Sequence, residues 1–334
     1  MLLTRCHREG SPQEGAGCGV EVGLYFPFLA APPDAVLRGE ASLDDTLRGS
    51  PLCDAHGALA EAVLRHLPGA APKRVYAGNE TCEKLLPSPE AIGSSVAAAR
   101  RGRVALSLVL PPLSRDGLAK AEGAVRALEG VEGSEVVAND WGTVHRLASR
   151  HPGLAIVLGR LTHKILRDPR LADFFDSPLA PMPARSALCR SGEHAPGFRS
   201  LMERYGIGRR EIDPFLQPLE EDEWGGRGGK LSVHLPYQFV TMGRGCLPAA
   251  MHREGNGKFV AGGPCRTECA KYAVEFRVPV PGGNGAGRNL LSIGNALYHA
   301  VPPHVSERAL ALLPSRVRVD RIVVTVPAVE RNPS

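Results

Sequence analysis

The chain reads as an α/β protein built on an incomplete or distorted (β/α)8 barrel, and three observations predict this. Short strand-like runs alternate with helix-periodic stretches. The runs number eight: Val20 to Phe26, Arg74 to Ala77, Val104 to Leu110, Glu135 to Ala138, Leu154 to Leu158, Glu211 to Ile212, Leu231 to Leu235 and Arg321 to Val326. With 334 residues, 43% of them hydrophobic, the chain can bury a core of barrel size.

Between the runs, Leu59, Val63 and Leu67 recur every four residues, and Leu118, Ala121, Val125 and Leu128 keep to one helical face. These helices are expected to cover the sheet. Ser306 precedes a short apolar helix, Ala309 to Leu313, which Pro314 stops before the last strand, so a final outer helix is missing. Three regions break the alternation. Asp176 to Gly197, rich in Pro, Ser and Ala, reads as an inserted loop before a helix ending at Tyr205 and Gly206. Glu220 to Gly229 puts an acidic turn and glycines where a crossover helix belongs, which predicts an irregular or antiparallel join. The glycine-rich stretch Pro279 to Asn289 reads as a hairpin tip between Tyr272–Val280 and Leu290–Leu297; no helix opens after Gly283, Gly285 and Gly287, against a phosphate loop. The expected organisation is a disordered extension (1–19), a barrel domain (20–327) with a cysteine-bearing segment (244–271) and a hairpin (272–298), and a C-terminal tail (328–334).

Composition narrows the function classes. The net charge of +5 comes from basic and acidic residues that alternate, with no basic run interleaved with aromatics, so nucleic acid is not the expected partner. No apolar run approaches the ~20 residues of a spanning helix, and no signal-peptide core opens the chain. A cytoplasmic, reducing location is expected, in which Cys6, Cys18, Cys53 and Cys189 stay free thiols.

The remaining four cysteines carry the chemistry. Cys246, Cys265 and Cys269 fall in one stretch, and Cys82 follows the second strand run. Four thiolates suit either structural zinc or an iron-sulfur cluster, since both take soft anionic donors. Zinc usually draws on two tight Cys pairs, whereas only Cys265 and Cys269 are close, which favours the cluster. An anionic cluster also suits the surplus of Arg244, Arg253, Lys258, Arg266 and Lys271 over Glu254 and Glu268. The plainer alternative is that these cysteines simply pack, being among the most buried residue types.

Further residues end or follow strand runs, where barrels of this kind place their working face. Asn139, Asp140, Arg160, His163 and Tyr237, with Arg244, are candidates for lining a substrate pocket. Each has a structural reading too: Asn139 and Asp140 precede a helix and can cap it, Arg160 can pair with a carboxylate, and His163 can sit on a surface helix.

Four stretches carry a resemblance: GLYFPF, VYAGNETCEK, VVANDWGTVHRL and HLPYQFVTMGRGC, the last followed by Cys265 and Cys269. They are similar to the collagenase-like peptidase superfamily, peptidase family U32, and within it to the UbiV-like branch of anaerobic ubiquinone-biosynthesis proteins. LLSIGNALYHAV through DRIVVTVP also resembles the family's closing segments. The resemblance implies a TIM-like barrel with a four-iron four-sulfur cluster on Cys82, Cys246, Cys265 and Cys269. It further implies a part in oxygen-independent hydroxylation of a small aromatic, ubiquinone-precursor-like substrate, and a heterodimer with a second superfamily member. The chain departs from the branch in the Cys246 to Cys265 gap, the shortened crossover after Pro218, the 176–197 insertion and the N-terminal extension.

Other family members modify tRNA by hydroxylation or carry a peptidase label, so both remain alternatives, as does a structural-zinc protein without catalysis. A peptidase needs a nucleophile with a base, or a metal-bound water. No HExxH or GxSxG occurs, and Cys53-Asp54-Ala55-His56 is too local for a dyad.

Overall fold

A strand covered on both faces needs an apolar run rather than an alternating one. The sequence ALSLVL supplies such a run, and it lies buried between parallel neighbours. The structure is a computed structural model, and it describes residues 20–29, 31–48, 61–67, 70–165, 181–214, 229–260, 263–278, 288–300, 303–311 and 319–326. The first seven strands are β1 (Glu21–Tyr25), β2 (Arg74–Gly78), β3 (Ala105–Leu110), β4 (Glu135–Ala138), β5 (Ala155–Leu158), β6 (Arg209–Ile212) and β7 (Lys230–Leu235). They are followed by β8 (Tyr237–Met242), β9 (Val274–Val278), β10 (Arg288–Ile293), β11 (Ala296–Ala300) and β12 (Val319–Thr325).

Eight of these close a barrel in the order β1-β12-β7-β6-β5-β4-β3-β2, with every neighbouring pair parallel. The eight strand runs read from the sequence are these eight strands. Helices Pro89–Gly102, Arg115–Arg126 and Trp141–Arg150 fill successive crossovers. Each begins at a side-chain cap, from Ser88, Ser114 and Asp140, that accepts an otherwise orphaned helix N–H. Their apolar faces pack on the sheet, burying Ala121, Val125 and Leu128 as their spacing predicts, and Val63 does the same from the helical residues 61–66.

Several expectations need correction. The strands on either side of the join after β6 are not antiparallel, because β6 and β7 are parallel partners and barrel closure demands it. Residues 215–228, which hold most of the acidic stretch, lie outside the described residues. The 176–197 region is partly helical: Met182–Cys189 and Pro196–Arg204 each carry proline in the first turn, where its missing N–H costs nothing. The late helix begins at Pro303 and contains Ser306, fully buried, rather than following it. The hairpin after the cysteine segment is one of two. Leu290–Leu297 is broken by a two-residue turn at Gly294 and Asn295, with Gly294 at φ +61°, so that β10 pairs with both β9 and β11. With β8 they form a four-stranded antiparallel sheet, β8-β11-β10-β9. The N-terminal extension, the C-terminal tail, the glycines at 283, 285 and 287, and Cys6, Cys18 and Cys53 lie outside the described residues. Among those described, no helix is long and apolar enough to cross a membrane.

The barrel interior is filled. Tyr25, Tyr76 and His234 meet edge to face at 6.1 to 6.2 Å, beside Val109, Val137, Val157 and Val323. Gly23 makes this possible, since a Cβ there would stand 2.7 Å from the Tyr76 ring. At the N-terminal ends of the strands lies an ionic layer. Arg74 meets Glu21 at 2.7 Å, Arg321 meets Glu21 and Glu135 at 2.7 Å each, and Arg209 meets Asp320 at 2.7 Å. Burial pushes the Glu135 carboxyl up, but Arg321, Arg74 and Arg209 outweigh it and hold the group below the ordinary carboxylate range. Burial and Arg209 do the same in the same balance at Asp320. A carboxylate depressed in the folded state stabilises fully above its unfolded value and loses that contribution as pH falls toward its folded one. Urea midpoints are therefore expected to hold between neutral pH and about pH 5, then drop below about pH 4. A midpoint unchanged into that acid range would contradict this account of the layer.

Candidate cysteine-lined site

Cys82 sits where β2 runs out of the barrel, and its loop is set by Asn79. The Asn79 Oδ1 accepts from the N–H of Thr81 at 2.9 Å and of Cys82 at 2.7 Å, while its Nδ2 donates to the Pro27 carbonyl at 2.7 Å. This is a side chain standing in for a backbone turn. Cys246 follows β8 and opens the short helix Leu247–Ala250. Cys265 precedes a 3₁₀ turn, Glu268–Ala270, that holds Cys269 at its centre and is entered through Thr267 at φ +59°. The Thr267 N–H donates to Cys265 Sγ at 3.3 Å. Cys269 is buried in an apolar cluster with Phe28, Leu161, Tyr237, Phe239 and Tyr298.

Four cysteines from separate segments thereby line one cavity of about 390 Å³. Lys84, Arg244 and Arg253 line it too, with the carboxylate of Glu83, whose Oε2 accepts from Ser114 at 2.7 Å, while the Glu268 carboxylate accepts from Cys265 Sγ at 3.8 Å. Burial pushes the Cys269 thiol up to about 12, and the charges of Cys246, Cys82 and Cys265 add to the shift. Burial raises Cys82 and Cys246 as well, and each again feels Cys265. Burial and the neighbouring thiols together disfavour ionisation of Cys82, Cys246 and Cys269. Among the described residues no three His, Cys, Asp or Glu side chains form a group able to hold one metal ion. The four cysteines share the lining of one cavity without forming such a group.

Of the pocket candidates, Arg244 lines this cavity. The other five lie elsewhere. Asn139 is buried, donating to the Leu110 carbonyl at 3.0 Å and accepting from Leu161 N–H at 3.3 Å. It fits because residue 159 is glycine: a Cβ there would come within 2.2 Å of Asn139 Oδ1. Asp140 caps its helix, accepting from Thr143 N–H at 2.8 Å and Thr143 Oγ1 at 2.6 Å. His163, Arg160 and Tyr237 are each 1% exposed. Arg160 donates from Nε to Glu80 at 2.8 Å and from Nη1 to Asp213 at 2.8 Å. Its guanidinium lies 5.6 Å from the centre of the Tyr298 ring, and Tyr298 donates to Glu80 at 3.0 Å.

These contacts seal the C-terminal end of the barrel. Tyr298 belongs to β11 and Glu80 to the loop after β2, so the four-stranded sheet is pinned over the mouth and the cysteine cavity opens beside it. Glu80, Asp213 and Tyr298 were not singled out from sequence. The signal available was charge: Glu80 and Arg160 both follow strands of one barrel, so opposite charges at one mouth predict a pair. Asn295, in the turn between β10 and β11, is marked in the sequence only by the Gly-Asn dipeptide between two apolar runs. Its Nδ2 donates to the carbonyls of Thr81 at 2.7 Å and Gly243 at 2.8 Å, tying the loops of two cysteines together.

Neither a family model nor a curated protein matches the chain. Among solved structures, the U32 peptidase Mk0906 is similar at a TM-score of 0.37 and 13% sequence identity, covering 95% of this chain and 96% of that one.

Proposed function

We propose that this protein is a U32 superfamily member that holds a four-iron four-sulfur cluster on Cys82, Cys246, Cys265 and Cys269. In this reading it is a component of an oxygen-independent hydroxylase acting on a small aromatic, ubiquinone-precursor-like molecule, with a second superfamily member as its partner in the cytoplasm. The observation that supports the reading is that four cysteines from three segments line one cavity together with Lys84, Arg244 and Arg253. The sequence resemblance supplies the reaction class.

When bound, such a cluster supplies one-electron transfer at a potential set by burial and by hydrogen bonds to sulfur. The chain's own contribution follows from the contacts described. Thr267 N–H offers a hydrogen bond to Cys265 Sγ, and Lys84, Arg244 and Arg253 bring positive charge to the walls around four anionic ligands. The apolar packing about Cys269 keeps water from that side of the site. Proteolysis has less support, because a cysteine nucleophile needs a lowered pKa and burial raises these thiols.

The test is anaerobic purification, quantification of iron and acid-labile sulfide, and an electron paramagnetic resonance spectrum of the reduced protein. Close to four irons and four sulfides per chain with a cluster signal is the expected result. Zinc at one per chain, or no metal, overturns the proposal.

A further inference from the structure

The turn between β10 and β11 carries no thiol, yet it meets the segments of three of the four cysteines. Asn295 Nδ2 donates to the Thr81 carbonyl, beside Cys82, and to the Gly243 carbonyl, shortly before Cys246. The Asn295 carbonyl in turn accepts from the Gly243 N–H at 2.9 Å. Gly294 lies against Cys269, since a Cβ built on it would stand 3.7 Å from Cys269 Cβ and 3.8 Å from its Sγ. Both turn residues line the cysteine cavity.

Three side chains each join one pair of the cysteine-bearing segments. Lys84, from the loop of Cys82, donates to the Gly263 carbonyl, and Arg253, from just beyond the Cys246 helix, donates to the Pro264 carbonyl. Both of these reach the stretch that leads into Cys265, and both do so from exposed positions where water competes for the same groups. Asn295 closes the triangle by joining the loop of Cys82 to that of Cys246, and it comes from outside all the cysteine segments. Among the described hydrogen bonds, no other side chain joins those two loops. Because one nitrogen serves both carbonyls, the two oxygens cannot part by more than the sum of two hydrogen bonds. Cysteine side chains can change rotamer, so what limits their meeting on one ion is the placement of the backbone that carries them.

We infer that Asn295 is a positioning residue for the thiol site, its Nδ2 setting the separation of the Cys82 and Cys246 loops while Gly294 backs Cys269. This rests on the reading of the four thiols as one donor set. It concerns how that set is held and not which centre it takes.

The test is titration of reduced, iron-free, full-length protein with cadmium ion, followed by thiolate-to-cadmium charge-transfer absorbance. Asn295→Ala removes the amide, and Asn295→Asp keeps its shape without an N–H to donate. Ser88→Ala is the control, because it removes a helix cap that does not line the cavity and so lowers stability without touching the turn. Both Asn295 variants are expected to bind cadmium about 10–100-fold more weakly, with less absorbance per ion as fewer sulfurs engage. Ser88→Ala should bind as the unchanged protein does, and circular dichroism and urea midpoints report the fold of each variant. Absence of cadmium binding by the unchanged protein, equal affinity in both Asn295 variants, or an equal loss in Ser88→Ala would overturn the inference. Iron and sulfide are read on separate anaerobic preparations. Unchanged protein that lacks iron, yet loses cadmium affinity with Asn295, sinks the cluster and leaves the positioning role standing; full iron with cadmium binding unaltered in the variants does the reverse.

Discussion

Arg160→Leu is expected to destabilise the protein by about 3–5 kcal/mol, measured as the change in unfolding free energy in urea at neutral pH. The reason is the company Arg160 keeps. Glu80, Asp213 and Arg160 are 3%, 0% and 1% exposed, and the arginine is the one cation that bonds both carboxylates among the contacts described. Although burial pushes Glu80 up, Arg160 holds its carboxyl below the ordinary range. With the guanidinium gone, two carboxylates face each other in a closed, water-poor space, and at least one must take up a proton or draw in water. The Tyr298 contact to Glu80 weakens at the same time, so the sheet over the barrel mouth should loosen. Replacing Glu80 and Asp213 by leucine and asparagine in the same background should recover part of the loss, because a neutral buried group needs no counter-charge. A loss below about 1 kcal/mol for Arg160→Leu would show that water reaches these carboxylates in solution.

Cys265→Ala is expected to remove iron and visible absorbance from anaerobically purified protein while changing its stability by no more than about 0.5 kcal/mol. Cys265 is half-buried in a loop outside every hydrogen-bonded ladder, and the barrel closes without it. Loss of a ligand should therefore show as loss of the centre and not of the fold. Cys189→Ala supplies the comparison, since that residue ends the helix Met182–Cys189 and does not line the cavity. Full iron in the Cys265 variant would remove that residue from the ligand set, and equal loss in both variants would point to general damage.

The barrel was legible because its information is local. ALSLVL and EVVA announce buried strands by composition alone, and their ends fall within a residue or two of the runs read from sequence. Gly294 and Asn295 also carried a local signal, a Gly-Asn turn between apolar runs, that was overlooked in reading one strand across it. That four cysteines line one cavity accords with their being singled out in the sequence for their donor chemistry. What could not be read was accessibility. Asn139, Arg160, His163 and Tyr237 do sit at strand ends, but a sheet assembled from β8 to β11 covers that end, and no spacing rule encodes the cover. The acidic and glycine-rich Glu220–Gly229 stretch suggested an irregular or antiparallel join, yet β6 and β7 pair in parallel as barrel closure requires.

The wide separation of the four thiols in sequence sets a schedule. Cys82 emerges during synthesis while more than half the chain is still to be translated, and Cys265 and Cys269 follow roughly 10–40 s later at ordinary elongation rates. Asn295, which ties the Thr81 carbonyl to that of Gly243, comes later again, and β12, which completes the ring of strands, follows it. The four thiols can act together only once Cys269 has been made, so the cavity they line is assembled after strands β1 to β8 exist rather than with the first of them.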